Sequence, residues 1–362
     1  MIEILDPATD SAQIEAVLAP GSGYTLVDAW ELAQSELAAI DAFPNIDGAE
    51  PGNPVTPRFA VFPWRQAVVK LPDSEQFLRL RTARNRYLID GGEQRKWSSA
   101  LVGIAGLSVG ASALSVCALT GARRFRLADH DTLGFTNLNR LVGSVCDIGV
   151  AKLDIAQRRV LEADPYSEIT PFHAGYTSES ASGFLGTAGE PLSVLIEEMD
   201  DLAAKVDIRI RARAARIPVV MATDNGDSAI LDVERYDLDA SYPLFHGRAD
   251  RVEALTPEQL EDQGERIRIV GGIVGTDITP RTRYSLTQVG RTLPSWPQLG
   301  TAATIAGAAA AYAARLIVCG HALSSGRYRI DIDSAVLGAR AGRAQRWNEL
   351  DEATFLETLA QR

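Results

Sequence analysis

The chain has 362 residues, of which 46% are apolar and 23% are charged, and its formal net charge is -11. This length can form one large α/β domain or a core domain with an added module. The negative charge argues against a general nucleic-acid-binding protein, because a phosphate backbone needs a basic surface. We therefore expect no nucleic-acid partner.

The three cysteines, Cys117, Cys146 and Cys319, are far apart and form no Cys-x-x-Cys pair. A structural zinc ribbon is therefore not expected, and cysteines this sparse are typical of a reducing cytoplasm. The first residues, Met-Ile-Glu-Ile-Leu-Asp-Pro, lack the basic start and apolar run of a signal peptide. These features predict a cytoplasmic location and no membrane partner.

Residues 1–95 predict a small α+β module. Short helical patterns over 1–40 are followed by a loop rich in proline and glycine over 43–57. The pattern over 58–71 predicts two strands around a Pro-Trp turn, and 73–87 has a helical and basic pattern.

From residue 98 the pattern alternates strands with helices. Strands are predicted over 100–105, 124–128, 168–174, 192–197 and 218–222, and helices over 111–120, 152–163 and 203–216. This alternation predicts a Rossmann-like, doubly wound, mostly parallel sheet within a domain over 96–362. From about residue 228 the pattern is less regular. An alanine-rich helix over 301–319 is interpreted as a buried core helix and not a membrane span, and a final strand is predicted over 328–332.

A Gly-Leu-Ser-Val-Gly turn, from Gly106 to Gly110, follows a predicted strand and opens a helix. Such a turn presents backbone N–H groups and a helix N-terminus to a phosphate. It departs from Gly-x-Gly-x-x-Gly, because Ser108 and Ala111 stand at the second and third glycine positions. By itself the turn leaves open a dinucleotide-dependent dehydrogenase, or simple close packing of strand and helix.

The stretch over 126–152 contains more candidate ligand-binding side chains than the turn does. It contains two carboxylates (Asp129, Asp131), an amide (Asn137), an arginine (Arg140) and a lysine (Lys152). An acid can hold a ribose, while arginine and lysine can hold phosphates as fixed cations. This combination favours a nucleoside triphosphate over a dinucleotide.

These motifs, in this order, resemble the signature of the ThiF/MoeB/HesA superfamily of ubiquitin-activating-enzyme-like adenylyltransferases. That signature is a glycine-rich turn, Asp-x-Asp, Ser/Thr-Asn-Leu-x-Arg and Asp-Ile-Gly-x-x-Lys, which here occupy 106–111, 129–131, 136–140 and 147–152. The family also has a Thr-Asp-Asn tripeptide at the end of a later strand, which Met-Asp-Asp at 199–201 matches here. Pro-Gln-Leu-Gly at 297–300 matches the family's entry into a C-terminal helix of small residues. The resemblance covers about 84–335.

Within that superfamily, the chain is most similar to a bacterial MoeY-like branch. The marks of this branch are a Phe-Pro-Trp-Arg segment, an Arg-Asn-Arg run and a late Ser-Ser-Gly-Arg-Tyr, found here at 62–65, 84–86 and 324–328. The resemblance implies ATP-dependent adenylation of a carboxylate, with magnesium as the cofactor and release of pyrophosphate.

The resemblance also implies roles for particular residues. Asp129 would hold the ATP ribose, and Asn137 and Arg140 would contact the phosphates and the charge that develops on pyrophosphate release. Lys152 would neutralise the same triphosphate, and Asp200 would help to hold magnesium.

The remaining site residues are expected around these. Gly106, Ser108 and Gly110 would form the phosphate-binding turn, and Asp131 ends its strand where open α/β sheets bind ligands. Arg86 resembles an arginine that a dimer partner contributes to the nucleotide site, so the resemblance implies a homodimer.

The chain lacks the family's zinc-ligand cysteines, and no cysteine falls within 176–190 or 223–245, where a carrier-linking thiol would be expected. The three cysteines are instead interpreted as packed small side chains. Capture of the acyl adenylate by an amine, amide or hydroxyl is therefore expected. The acid could be a small molecule or part of a peptide, and the 1–95 module would clamp a peptide by analogy with peptide-modifying relatives.

Two other functions stay open at this point. An NAD(P)-dependent oxidoreductase could use the same turn and the same acid after the second strand, although the spacing of Arg140 and Lys152 argues against it. A non-catalytic nucleotide-binding scaffold would fit the altered glycine positions and the missing zinc site, but not the presence of Arg140, Lys152 and Asp200.

Overall fold

The computed structural model describes residues 2–43, 55–340 and 347–360, so most of the predicted loop over 43–57 lies outside the described residues. The chain divides into two compact units. The first unit takes in Met1–Ser99, Ala118–Arg124 and Gln157–Glu168, and the second takes in Ala100–Cys117, Phe125–Ala156 and Ile169–Arg362.

The first unit contains a four-stranded sheet in the order β1-β3-β4-β2. Its strands are β1 (Glu3–Leu5), β2 (Thr25–Asp28), β3 (Pro57–Phe62) and β4 (Ala67–Pro72), and its helices are α1 (Ser11–Leu18), α2 (Trp30–Asp41), α3 (Ser74–Arg81) and α4 (Gly91–Ser99). Strands β3 and β4 pair antiparallel around a single 3₁₀ turn at Pro63–Arg65. The predicted pair of strands around a Pro-Trp turn is thereby confirmed.

A seven-stranded sheet in the order β11-β10-β9-β8-β5-β6-β7 forms the frame of the second unit. Its strands are β5 (Leu101–Ala105), β6 (Arg124–Ala128), β7 (Glu168–Phe172), β8 (Val194–Glu197), β9 (Val219–Asn225), β10 (Ser228–Glu234) and β11 (Gly326–Ile330). Strands β5, β8 and β9 pair parallel, whereas β9, β10 and β11 pair antiparallel. Strand β5 is buried along its whole length, as expected for a central strand of a sheet that is covered on both faces.

Helices connect and cover these strands. They are α5 (Val109–Leu119), α6 (Lys152–Ala163), α7 (Ala181–Leu185), α8 (Leu202–Ala214), α9 (Pro257–Glu261), α10 (Gln263–Val274), α11 (Pro280–Gln288), α12 (Gly300–Cys319), α13 (Ile332–Leu337) and α14 (Glu352–Ala360). The predicted doubly wound, mostly parallel α/β fold is confirmed, because the strands and helices before residue 226 alternate as the sequence indicates.

Strand β10 is one of the elements that the sequence pattern did not reveal. It follows β9 through a tight turn at Gly226, whose φ is +71°, and every residue of β10 is buried. Two of those buried residues are acids, Asp232 and Glu234, which in the sequence look like solvent-facing side chains. The sequence therefore appeared irregular where the fold has a fully buried strand.

Helix α12 is long and apolar enough to cross a membrane by length and composition alone. Most of its alanines are buried, and it packs on β8, β9 and β10. At Gly307 an added Cβ would lie 2.5 Å from the Cβ of Ser112, so helices α12 and α5 approach too closely for any larger residue. The predicted buried core helix is confirmed.

Candidate functional site

The glycine turn is held against two strand ends. Gly106 has a φ of +87°, and an added Cβ would lie 2.5 Å from the carbonyl oxygen of Glu198. Its N–H donates to the carbonyl of Ala128 at 2.8 Å. Both the left-handed conformation and the close approach require glycine here.

A first cavity of about 630 Å³ opens at the carboxyl ends of β5, β6 and β8. This is the edge at which open α/β sheets bind ligands. Its lining includes six predicted site residues, five from the three strand ends and one from the start of helix α6: Gly106, Ser108, Asp129, Asp131, Asp200 and Lys152. The fold thus brings together side chains that are up to 94 positions apart, from Gly106 to Asp200.

Asp129 is 8% exposed and fixes the backbone around it. One carboxylate oxygen accepts the N–H of Leu107 at 2.6 Å, and the other accepts the N–H of Asp131 at 2.8 Å. Asp129 therefore ties the glycine turn to the end of β6. A carboxylate oxygen has further lone pairs, so the same side chain can still accept from a ribose hydroxyl in the cavity.

Asp131 and Lys152 form an ion pair in the first cavity. The Lys152 Nζ lies 2.7 Å from the Asp131 Oδ2, and the Lys152 side chain is 8% exposed. The hydrogen bond from Lys152 lowers the pKa of Asp131. His130, between the two acids, is exposed and also lines the cavity.

Arg140 is oriented by hydrogen bonds from its own segment and from the glycine turn. Its Nε donates to the Ser108 Oγ at 3.1 Å, and its Nη1 donates to the Thr136 carbonyl at 3.0 Å. The serine that replaces the second glycine therefore has a specific contact. Asn137 accepts the N–H of Gly134 at 2.9 Å as a cap of its 3₁₀ turn, and it is not among the residues that line either cavity described here.

A buried network fixes the loop that carries Asp200. Glu197 ends β8, is completely buried, and accepts the N–H of Met199 at 2.7 Å. It is paired with Lys205 at 3.0 Å and with the buried Arg209. Asp201 caps helix α8 by accepting the Ala204 N–H and lines only the first cavity, whereas Asp200 lines both cavities.

A second cavity of about 470 Å³ adjoins the first and shares four lining residues with it: Ser108, Glu198, Met199 and Asp200. Of the two cavities, only the second is lined by Arg140, Asp224, Gln298 and Trp296. The two cavities meet at the carboxyl end of β8. Arg140 and Lys152 are therefore on different cavities, with Asp200 on both.

Burial disfavours the ionised form of two carboxylates that line the second cavity. Burial raises the pKa of Asp224 to about 6, against the partial compensation of a hydrogen bond from Gln298 and the charge of Arg140. Its Oδ1 is buried with no hydrogen-bond partner among the described residues. Burial also raises the pKa of Glu198 well above its usual range.

Asp224 was missed at the sequence level, although a signal was present. The family's Thr-Asp-Asn was aligned with 199–201, but the literal tripeptide occurs at 223–225, at the end of the next parallel strand. Among the described residues, no three His, Cys, Asp or Glu side chains group as a ready metal site.

The lining of the two cavities does not include Arg86, His246 or any of the three cysteines. Arg86 lies in the first unit, after a 3₁₀ turn, and its proposed role across a dimer stays a prediction. His246 bonds to Asp232 and Tyr242 and does not line either cavity described here. Cys117 and Cys319 are buried, but Cys146 is exposed on its 3₁₀ turn, so the expectation that it is packed was wrong.

The ThiF family model matches residues 82–334 of this chain, which is most of its length and includes every residue that lines the two cavities. The chain belongs to the ThiF family. The resemblance to this family that the sequence motifs indicate is thereby confirmed.

The matches to curated relatives cover only part of those proteins. It is 38% identical over 280 residues to the uncharacterized protein MT1398 of Mycobacterium tuberculosis (strain CDC 1551 / Oshkosh), covering 77% of this chain and 38% of that protein. It is 35% identical over 95 residues to a probable molybdopterin-synthase adenylyltransferase of Porphyra purpurea, covering 26% of this chain and 24% of that protein. The chain thus spans well under two thirds of both relatives.

Among solved structures, the crystal structure of E. coli MccB with ATP is similar with a TM-score of 0.50 and 16% identity. The match covers 72% of this chain and 70% of MccB. At that identity the likeness speaks for the ThiF fold alone.

Proposed function

We propose that this chain activates a carboxylate with ATP, forming an acyl adenylate and pyrophosphate. The observation that carries the proposal is the pair of adjoining cavities at the carboxyl edge of the sheet, with Lys152 on one, Arg140 on the other and Asp200 on both. An adenylation reaction needs this arrangement, because a nucleotide and an acid must meet at one phosphorus atom.

In the reaction, a carboxylate oxygen attacks the α-phosphorus of ATP. A new P–O bond forms, the bond between the α-phosphorus and the bridging oxygen breaks, and pyrophosphate leaves. The first cavity would hold the nucleotide, with the N–H groups of the 106–110 turn toward its phosphates. Arg140 and Lys152 would stabilise the negative charge that develops on the leaving pyrophosphate.

Magnesium fits the acids of this site. A Mg²⁺ ion keeps most of its waters and needs only one or two protein carboxylates besides the phosphates. Asp200 faces both cavities, and the unpartnered Oδ1 of Asp224 is an acceptor that a cation would satisfy. We infer that these two residues would hold the ion, which would supply positive charge against the triphosphate.

The second step would be capture of the acyl adenylate by an amine, amide or hydroxyl. The nucleophile attacks the acyl carbon, AMP leaves with its electron pair, and the nucleophile loses its proton. Buried Cys117 and Cys319 are unsuited to this attack, since burial raises the pKa of the Cys117 thiol. Exposed Cys146 is the one thiol that needs an experimental test.

We propose a homodimer as the working assembly, in keeping with the role assigned to Arg86. Support comes from exposed apolar side chains around the Arg140 segment: Phe135, Val142 and Val145 are each more than two thirds exposed. Exposed apolar side chains at neighbouring sequence positions are candidates for an association surface. A peptide-clamping role for residues 1–95 and a cytoplasmic location belong to the same proposal.

Calorimetric titration tests the nucleotide assignment directly. We expect the wild-type protein to bind ATP with magnesium and to bind neither NADH nor NADPH. Arg140→Gln should weaken ATP binding, while Arg291→Gln, an exposed arginine that does not line either cavity described here, should not. Binding of a nicotinamide nucleotide without binding of ATP would overturn the proposal.

A further inference from the structure

The second cavity is mainly apolar. Its walls include Val109 from helix α5, Leu202 from helix α8, Met221 from strand β9 and Trp296 from the segment before helix α12. Helix α10 adds three aliphatic side chains, Val270, Ile273 and Val274. A cavity with walls of this kind favours the hydrocarbon part of a ligand, because burying apolar surface is the main source of affinity.

One face of helix α10 forms an aliphatic and basic wall of the second cavity, in contrast to the acidic side chains elsewhere in its lining. Arg266, Val270, Ile273 and Val274 all line the cavity, and their spacing of four, three and one residues places them on a single stripe of an α-helix. Helix geometry therefore directs the Arg266 side chain to the same cavity as the three aliphatic residues.

Arg266 is an available cation in this cavity. The other two cationic side chains that line the second cavity already have partners. Lys205 is paired with Glu197, and Arg140 donates hydrogen bonds to Ser108 and to its own segment. Arg266 is exposed and makes no side-chain hydrogen bond or ion pair within the part of the chain that the structure describes. By contrast, Arg268 on the same helix is paired with Glu265 at 2.6 Å and does not line the cavity.

We propose that the second cavity binds a carboxylic acid with an apolar body and a second anionic group, and that Arg266 recognises that second group. This inference rests on the proposed adenylation. One carboxylate would meet the nucleotide where the two cavities join, and the hydrocarbon would lie against Val270, Ile273 and Val274. A guanidinium pairs well with a carboxylate or phosphate because its donors form a planar fork.

The substrate's second anion could belong to a small diacid or to an acidic residue near a peptide C-terminus. Two matched probe pairs separate these sources: suberate against octanoate, and N-acetyl-Glu-Leu against N-acetyl-Gln-Leu. Each pair has a similar apolar body and differs in one negative charge. Binding is measured by calorimetry on the full chain with magnesium and a non-cleavable α,β-methylene ATP analogue already bound.

We expect one of the dianions to bind about tenfold or more tightly than its monoanionic match, because a charge-assisted hydrogen bond distinguishes them. Arg266→Gln should remove this preference, and the matched control Arg268→Gln should keep it. Equal binding within both pairs, no binding of any probe, or equal loss in both variants would overturn the inference.

The analogue titration that precedes each experiment separates the two proposals. If the ATP analogue binds and the charge preference is absent, only the dianion inference fails. If the analogue does not bind, the adenylation proposal itself fails.

Discussion

Replacing Asp224 with asparagine should make the nucleotide-free protein more stable at neutral pH. Asp224 is 6% exposed, and its Oδ1 has no hydrogen-bond partner among the described residues. Gln298 donates to the other oxygen at 3.1 Å, and the charge of Arg140 compensates only in part. At neutral pH the folded protein therefore carries a poorly compensated buried charge, which Asp224→Asn removes.

The magnitude follows from the raised pKa. Burial moves the pKa of Asp224 from 3.8 to about 6, and a difference of roughly two pH units corresponds to about 3 kcal/mol. Because the pKa of Asp224 is higher in the folded state, its protonated carboxyl contributes this free energy to stability fully below pH 3.8. The contribution is lost as the pH rises through about 6. The asparagine keeps an acceptor for Gln298 but places an N–H₂ group at the unpartnered position, so we expect a net gain of about 1–2 kcal/mol.

Urea unfolding at pH 5, 6 and 7.5, in EDTA and without nucleotide, measures the effect. The free energy of unfolding of Asp224→Asn minus that of wild type should increase between pH 5 and pH 7.5. Asp250→Asn, at an exposed position, is the matched control and should show no such trend. A variant that is less stable than wild type at pH 7.5, or a difference that does not change with pH, would refute the electrostatic reasoning.

Three further predictions concern the turn, the buried network and the exposed thiol. Gly106→Ala should cost about 2 kcal/mol or more in unfolding free energy and abolish ATP binding, because the φ of +87° and the nearby Glu198 carbonyl leave no space for Cβ; unchanged ATP affinity would contradict this. Arg209→Leu should lower the free energy of unfolding by about 3–5 kcal/mol, because it removes the arginine that pairs with both of the buried acids Glu197 and Glu234; a change below 1 kcal/mol would show that the pairs are not required. Cys146→Ser should leave product formation unchanged; loss of product with intact pyrophosphate exchange would identify a thioester step and contradict capture by a non-thiol nucleophile.

The regular part of the fold could be predicted because its sequence signals are local. Strand β5 is an apolar run bounded by a glycine turn, and helix α12 is a long alanine-rich segment. Strand β10 could not be predicted in the same way. Its acids are buried because Arg327 lies 2.7 Å from Asp232 and Arg209 lies 2.8 Å from Glu234, and neither partner is close in sequence.

The candidate site shows the same division. Asp129, Arg140 and Lys152 belong to ordered motifs, so the sequence indicated them together. Asp224 and Arg266 reach the second cavity only because strand β9 and helix α10 are folded beside the β8 end. No short motif links Arg266 to the nucleotide-binding turn, and the Thr-Asp-Asn tripeptide that contains Asp224 does not by itself place that residue in the site.

Adenylation of a carboxylate can be measured by the exchange of labelled pyrophosphate into ATP, with magnesium and a panel of carboxylic acids that includes suberate and octanoate. We expect exchange that depends on an added acid and falls by roughly 10²–10³-fold in Arg140→Gln, with the fold intact. Acid-independent exchange, or acid-dependent exchange that Arg140→Gln leaves unchanged, would contradict the proposed adenylation.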